Sequence, residues 1–115
     1  ARHMVAKGSG HIVNIASSSG IKGDEFMAPY AAAKAAVINL TRTLAISWAV
    51  HNINVNCVAP GSVKAPKDQD GPLLQQPGAP GDIADAVLFF ASDGSSGMTG
   101  ETLPVRGAEW ASAYS

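Results

Sequence analysis

A tyrosine and a lysine stand four positions apart in the segment with the longest helical pattern of the chain. Tyr30 and Lys34 therefore project from the same face of the predicted helix. A phenol is a poor general base at neutral pH, because its ordinary pKa is about 10. A neighbouring ammonium group favours the phenolate and so makes proton exchange easier. The spacing fits a proton-transfer pair, but it also fits two solvated neighbours on a helix surface.

A serine lies at the carboxyl end of the strand predicted to precede this helix. Ser17 stands thirteen residues before Tyr30, and its hydroxyl could donate a hydrogen bond to a carbonyl oxygen near the phenol. Serines after a strand also occur in ordinary turns, which is how we interpret the two that follow it. Pro60-Gly61 ends the next strand, where glycine either lets the backbone approach a ligand closely or simply makes a turn.

The elements that must position these residues alternate between strand and helix. β-branched runs bounded by Gly, Ser or Pro predict strands at 11–16, 53–59 and 102–105. Helix-forming patterns predict helices over 30–50 and 83–92, the second capped by Asp82. Residues 1–7 weakly indicate the end of a helix, and 17–28 and 62–81 are expected to be loops.

Strands that alternate with helices imply crossover connections, so the sequence predicts an α/β fold with a doubly wound parallel sheet. The apolar runs lack strict alternation, which fits strands that are buried on both faces. In such sheets ligands bind beyond the carboxyl ends of the strands. Ser17, Pro60-Gly61 and the 62–81 loop are therefore expected at one rim of the sheet.

The long helix carries two apolar rows. One row consists of Val37, Leu40, Leu44 and Trp48, and the other of Ile38, Ala45 and Ala49. Two apolar rows predict burial on two sides, one against the sheet and the other against a further helix or subunit.

Composition excludes several function classes. Of 115 residues 46% are hydrophobic and 15% charged, which supplies one core and is not typical of a disordered chain. The net charge of −1 means that there is no excess of basic residues to bind the phosphates of nucleic acid. No stretch approaches the roughly 20 apolar residues that cross a bilayer. The single cysteine, Cys57, cannot form an internal disulfide, and the three histidines lack metal-ligand spacing. We expect a cytoplasmic protein with no metal, nucleic-acid or membrane partner.

Taken together, these segments resemble the short-chain dehydrogenase/reductase family. The matching stretches follow one another in the family's order: 12–17, the Tyr-Ala-Ala-Ala-Lys of 30–34, 54–61, 81–93 and 99–105. The resemblance implies a Rossmann-like fold and a nicotinamide-dependent oxidoreductase that interconverts an alcohol and a ketone or aldehyde. The hydride chemistry belongs to the cofactor, either NAD or NADP.

The resemblance also implies roles for individual residues. Tyr30 would be the general acid/base, Lys34 would favour its phenolate and hydrogen-bond the nicotinamide ribose, and Ser17 would polarise the substrate oxygen. The nicotinamide end of the cofactor would face Pro60, Gly61 and the backbone of Val63. In this family the tyrosine-bearing helix also pairs subunits, so a homodimer or homotetramer through residues 30–50 is expected.

The match is restricted to the second half of the family's pattern. The Gly-rich phosphate loop and the Asn-Ala-Gly stretch of the first half are not found, and neither is the residue that separates NAD from NADP. We expect residues 1–115 to be the C-terminal catalytic and substrate portion of one Rossmann-fold domain, with the N-terminal dinucleotide-binding half absent. Ala65 and Arg106 stand where many members have Thr and Asp.

Two main hypotheses follow. The chain is the catalytic half of a reductase in the complete protein, acting on a small-molecule alcohol or carbonyl compound. Alternatively, it is a truncated or split fragment that is catalytically incompetent and acts only as a structural or oligomerisation unit. A third hypothesis, a complete binding module of another doubly wound fold, fits the motifs poorly.

Overall fold

The computed structural model describes residues 1–62 and 79–106. The helices are α1 (Arg2–Lys7), α2 (Ser19–Lys22), α3 (Ala28–Trp48) and α4 (Pro80–Ala91), and the strands are β1 (Gly10–Ile15), β2 (Ile53–Pro60) and β3 (Thr102–Val105). Single 3-10 turns at Ala49–His51 and Asp93–Ser95 follow α3 and α4. The predicted alternation of strands and helices is confirmed. Val63 and the residues that follow it to 78 lie outside the described residues.

The described strands form one parallel sheet in the order β1-β2-β3. Val13 is paired with Asn56 across the first ladder, and Val58 with Leu103 across the second. Since α3 connects β1 to β2 and α4 precedes β3, each parallel step includes a helix. The predicted α/β class with a parallel sheet is confirmed.

The central strand β2 is buried on both faces. Its residues Val55, Cys57 and Val58 are fully buried, as expected for a strand with a helix on either side. One core cluster joins Ile38 of α3 to Cys57 and the neighbouring alanines. A second joins Ala45, Ile53 and Val55, with Met4, Ile12, Leu44 and Trp48 packed around them.

The prediction of two separate apolar rows on α3 is partly wrong. Residues from both rows pack against the sheet on one side: Val37, Ile38, Leu44, Ala45 and Trp48. Thr41 lies fully buried in the middle of this face, where its hydroxyl donates to the Val37 carbonyl at 2.9 Å and accepts from the Asn14 amide at 3.1 Å. The hydrogen bond from Asn14 satisfies the Thr41 hydroxyl, so this polar residue can be buried between the apolar residues of the helix. Leu40 remains 50% exposed.

Two local predictions also need correction. The 17–28 segment, predicted as a loop, contains α2, whose one turn is closed by the Ser18 carbonyl accepting from the N–H groups of Ile21 and Lys22 at 3.0 Å. Helix α4 begins at Pro80, two residues before Asp82. Asp82 therefore is not the N-cap residue; its carboxylate accepts the backbone N–H of Ala79 at 2.9 Å from within the first turn.

Candidate active site

Backbone hydrogen bonds made by the residues just before and just after Ser17 hold it at the carboxyl end of β1. The N–H of Ala16 donates to the Val58 carbonyl, and the N–H of Ser18 donates to the Pro60 carbonyl, each at 2.9 Å. These bonds place Ser17 beside the end of β2, as the sequence predicts. Its Oγ accepts the backbone N–H of Ser19 at 3.2 Å, so the hydroxyl hydrogen is left to donate elsewhere.

Tyr30 is the third residue of α3, and its position follows from how the helix begins. Met27 precedes the helix and its carbonyl accepts the N–H of Ala31 at 2.9 Å. Pro29 occupies the first turn, where its missing N–H costs no helical hydrogen bond. The Tyr30 side chain is 41% exposed, so its phenol can be reached by a ligand.

Lys34 lies one helical turn after Tyr30 and on the same side of α3. Its Nζ is 5.6 Å from the centroid of the Tyr30 ring, within the range of a cation–π contact. The predicted proximity of the two side chains is therefore present in the folded chain.

Helix α2 brings Ser17 and Lys34 toward one another. It follows Ser17 directly and packs on α3, where Gly20 lies against the main chain of Lys34 and Ala35. Ser17 is thus joined to the tyrosine-bearing helix through one short turn. The sequence analysis missed Gly20, because nothing in the local pattern around it separates a packing glycine from a turn glycine.

Pro60 and Gly61 lie at the same rim, at the end of β2. The Gly61 N–H donates to the Val105 carbonyl at 3.1 Å, which continues the pairing with β3. A β-carbon at Gly61 would lie 2.7 Å from Cβ of Arg106, so part of the need for glycine here is contact with that side chain. Val63, expected to face the nicotinamide, lies outside the described residues.

The buried thiol of Cys57 lies below this rim on the α3 side of β2. Burial raises its pKa above the ordinary value of 9.0, while the neighbouring Thr41, Thr102 and Ala16 and the charge of Lys34 act in the opposite direction. A raised pKa keeps the thiol protonated and weakly nucleophilic at neutral pH. The interpretation of Cys57 as a core residue agrees with its complete burial.

Two further classes of site are absent from residues 1–62 and 79–106. Within those ranges no three His, Cys, Asp or Glu side chains come together as a metal-binding group. The helices of the same ranges include none with the length and apolarity of a membrane span.

Comparison with known proteins adds to this geometry. The sequence pattern of the family described as Enoyl-(Acyl carrier protein) reductase matches residues 1–107. The dehydrogenase subunit BbsD of Thauera aromatica, whose name specifies a hydroxy(phenyl)methylsuccinyl-CoA, is 45% identical over 91% of this chain and 46% of its own length. Cis-4-hydroxycyclohexanecarboxylate dehydrogenase of Sinomonas cyclohexanicum is 41% identical over 92% of this chain and 47% of its own length.

Solved structures give the same result. Acetoin dehydrogenase YohF of Salmonella typhimurium has a TM-score of 0.81 and 35% identity, over 92% of this chain and 47% of that one. NAD+-bound xylitol dehydrogenase has a TM-score of 0.83 and 31% identity, over 92% of this chain and 51% of that one. The chain spans about half the length of the curated relatives it matches. With the family pattern matched over nearly its whole length, the chain belongs to the short-chain dehydrogenase/reductase family.

Proposed function

We propose that the protein containing this chain is an NAD- or NADP-dependent oxidoreductase that interconverts a secondary alcohol and its ketone, or a primary alcohol and its aldehyde. The observation that carries this proposal is the contact between Lys34 and Tyr30 on α3, the helix against which the turn after Ser17 packs. A partly exposed phenol beside an ammonium suits proton exchange with a carbonyl oxygen, and a hydroxyl donor such as Ser17 would stabilise charge on that oxygen.

Each of the three side chains has a separate task in the proposed reduction. Tyr30 donates its phenolic proton to the substrate oxygen while the carbonyl carbon accepts a hydride. The Ser17 hydroxyl donates a hydrogen bond to the same oxygen and stabilises the negative charge that develops on it. Lys34 stabilises the phenolate that remains on Tyr30. In the oxidation of an alcohol, the same groups act in reverse.

The residues at this rim fit the nicotinamide end of a dinucleotide, which supplies or accepts the hydride when bound. Lys34 is only partly buried, so its ammonium group can reach a ribose hydroxyl as well as the phenol. Pro60, Gly61 and Val63 are proposed to line the nicotinamide end. We propose that the chain is the C-terminal catalytic portion of its domain and that a dinucleotide-binding half completes the site.

We propose a substrate with an apolar substituent next to the reacting carbon. Phe26 and Met27 directly precede the helix of Tyr30, and their side chains are 88% and 49% exposed. Asp24 fixes this segment, because its carboxylate accepts the Phe26 N–H at 3.0 Å and the Ser19 hydroxyl at 3.4 Å. The names of two relatives, with their phenyl and cyclohexane groups, support the same substrate class.

A titration of the chain with NADH and NADPH, followed by nicotinamide fluorescence, tests the proposal. If the chain alone does not bind but turns over ketones when a dinucleotide-binding half of a relative is added, the catalytic assignment is supported. Absence of turnover in every combination would contradict it and would leave the alternative, a catalytically incompetent unit. Saturable binding by the chain alone at micromolar concentration would contradict that alternative and the need for another half.

The exposed apolar residues of α3 favour an oligomer, which both alternatives accommodate. Leu40 and Ile46 are 50% and 80% exposed on α3, whose other side packs on the sheet, and Val50 in the turn that follows is 83% exposed. We propose that a second copy of the chain covers this surface in a homodimer or homotetramer. Sedimentation of the wild type and of Ile46→Lys tests this, because the variant is expected to sediment as a smaller assembly.

We also propose a cytoplasmic location, which the single thiol supports.

A further inference from the structure

Helix α2 contacts the main chain of α3 at a glycine. A β-carbon at Gly20 would lie 2.6 Å from the carbonyl carbon of Lys34, 2.7 Å from the nitrogen of Ala35 and 2.9 Å from Cβ of Lys34. Two of these three atoms belong to the main chain of a long helix. A side chain at position 20 therefore cannot be accommodated by a change of rotamer on α3, and one of the two helices would have to move.

Backbone conformation does not explain the glycine. Gly20 lies within α2 and is not among the described residues with positive φ, whereas Gly23, which ends the same helix, has φ of 84°. Glycine is a poor helix former compared with alanine, so the helical turn itself would favour alanine at this position. What requires glycine at position 20 is the close contact with Lys34 and Ala35.

The same turn is tied to Ser17. The Gly20 N–H donates to the Ser17 carbonyl at 3.0 Å, and the Ser19 N–H donates to Ser17 Oγ at 3.2 Å. Ser17 is in turn held by the backbone bonds that Ala16 and Ser18 make to β2. Gly20 thus has a rigid connection to the sheet and Ser17 on one side, and a direct contact with α3 at Lys34 on the other.

We infer that Gly20 is a positioning residue, whose missing side chain sets the distance between Ser17 and the Tyr30–Lys34 pair. This inference rests on the proposed function, since the distance matters for catalysis only if these groups act on one substrate oxygen. To turn the 2.6 Å approach into an ordinary contact of at least 3.4 Å, α2 and α3 would have to separate by several tenths of an ångström, which changes the distance between the turn after Ser17 and the helix of Tyr30 and Lys34. Misplacement of reacting groups by about 1 Å can cost roughly 100-fold in rate.

Gly20→Ala tests the inference, and Gly81→Ala is the matched control. A β-carbon at Gly81 would meet nothing within 4 Å, and Gly81 lies in α4 with no positive φ, so the same added methyl group finds open space there. In the assembly that is active with the wild-type chain, we expect Gly20→Ala to lower kcat by about 10- to 100-fold. Gly81→Ala is expected to keep the wild-type kcat. Equal kcat values for the two variants would overturn the inference.

A double-mutant cycle with Ser17→Ala separates positioning from a general loss of structure. If Gly20 acts through the placement of Ser17 against α3, Gly20→Ala should lower kcat by a much smaller factor in the Ser17→Ala variant, which lacks the hydroxyl, than in the wild type. Fully additive losses in the Ser17→Ala background would overturn the inference. If Gly20→Ala is unfolded by circular dichroism, the cycle is repeated in trimethylamine N-oxide, which favours the compact state. If Gly20→Ala does not fold even in trimethylamine N-oxide, the inference is overturned, because Gly20 then serves folding and not positioning.

Crystal structures of the wild-type and Gly20→Ala chains provide a readout that does not depend on turnover. After superposition on β1 and β2, the main chain at Lys34 should be displaced away from Ser17 in the variant. An unchanged separation between Ser17 and Lys34 would overturn the inference. Because this measurement needs no activity, an inactive wild-type assembly would contradict the proposed function while the crystallographic displacement still decides the role of Gly20.

Discussion

The Nζ atom of Lys34 lies 5.6 Å from the centroid of the Tyr30 ring, and both residues belong to the first two turns of α3. Their contact is therefore a local property of the helix and does not depend on the loops around it. Ser17, by contrast, is linked to this helix by tertiary contacts, which include the packing of α2 on α3 and of Ala16 against Ile38. The proposed site combines one relationship that is local in sequence with one that is made by the fold.

The phenolic hydroxyl of Tyr30 should be needed for turnover and not for folding. In the active assembly, Tyr30→Phe is expected to lower kcat by about 100- to 10,000-fold, the range that general acid–base catalysis contributes. The ring stays in place for the contact with Lys34, and a partly exposed position tolerates the change within about 0.5 kcal/mol of unfolding free energy. Steady-state kinetics and urea unfolding measure the two effects. Near-normal turnover would refute the assigned role.

Thr41 should contribute to stability through its buried hydroxyl. Thr41→Val keeps the shape of the side chain but leaves the Asn14 amide without its acceptor, which is expected to cost about 1–3 kcal/mol of unfolding free energy. Thr43→Val is the matched control, because the Thr43 hydroxyl makes a similar bond to the Asn39 carbonyl at 3.3 Å on the exposed side of the same helix. Thr43→Val should change the unfolding free energy by no more than about 0.5 kcal/mol. If urea unfolding shows equal losses of unfolding free energy in the two variants, burial of the Thr41 hydroxyl does not have the role given to it.

The buried thiol of Cys57 should make stability fall at alkaline pH. Its pKa is raised above 9.0 in the folded chain by burial, so the unfolded chain loses the thiol proton first as the pH rises. The stabilising contribution is fully present below the ordinary thiol pKa and is lost as the pH rises through the raised value. The difference in unfolding free energy between wild type and Cys57→Ala should therefore shrink between about pH 8 and pH 11. A difference that is independent of pH would contradict this prediction.

The carboxylate of Asp82 should stabilise the beginning of α4. Asp82→Ala removes the acceptor of the Ala79 N–H and a negative charge from the first turn, with an expected cost of about 1 kcal/mol. Asp85→Ala, one turn later on the exposed surface of the same helix, leaves that hydrogen bond intact and should cost less. Thermal unfolding of the two variants measures the difference. A larger loss for Asp85→Ala would be inconsistent with the capping role.

Local features of the sequence were sufficient to predict the order of the elements. The β-branched runs at 11–16 and 53–59 became β1 and β2 with ends shifted by one residue, because strand patterns and the Gly and Pro that bound them act over a few residues. The helix predicted over 30–50 became α3 and the turn that follows it, since its alanine-rich composition favours helix without outside contacts.

The shared side of Tyr30 and Lys34 also follows from the sequence alone, because a spacing of four residues in a helix places them there whatever the surroundings. The burial of Thr41, the formation of α2 and the contact of Gly20 with Lys34 could not be predicted from local patterns. Each of these depends on a contact with a segment distant in the chain: Asn14 of β1 for Thr41, and α3 for α2 and Gly20. Such contacts are set by how close two packed elements come, and no pattern within either element encodes that distance.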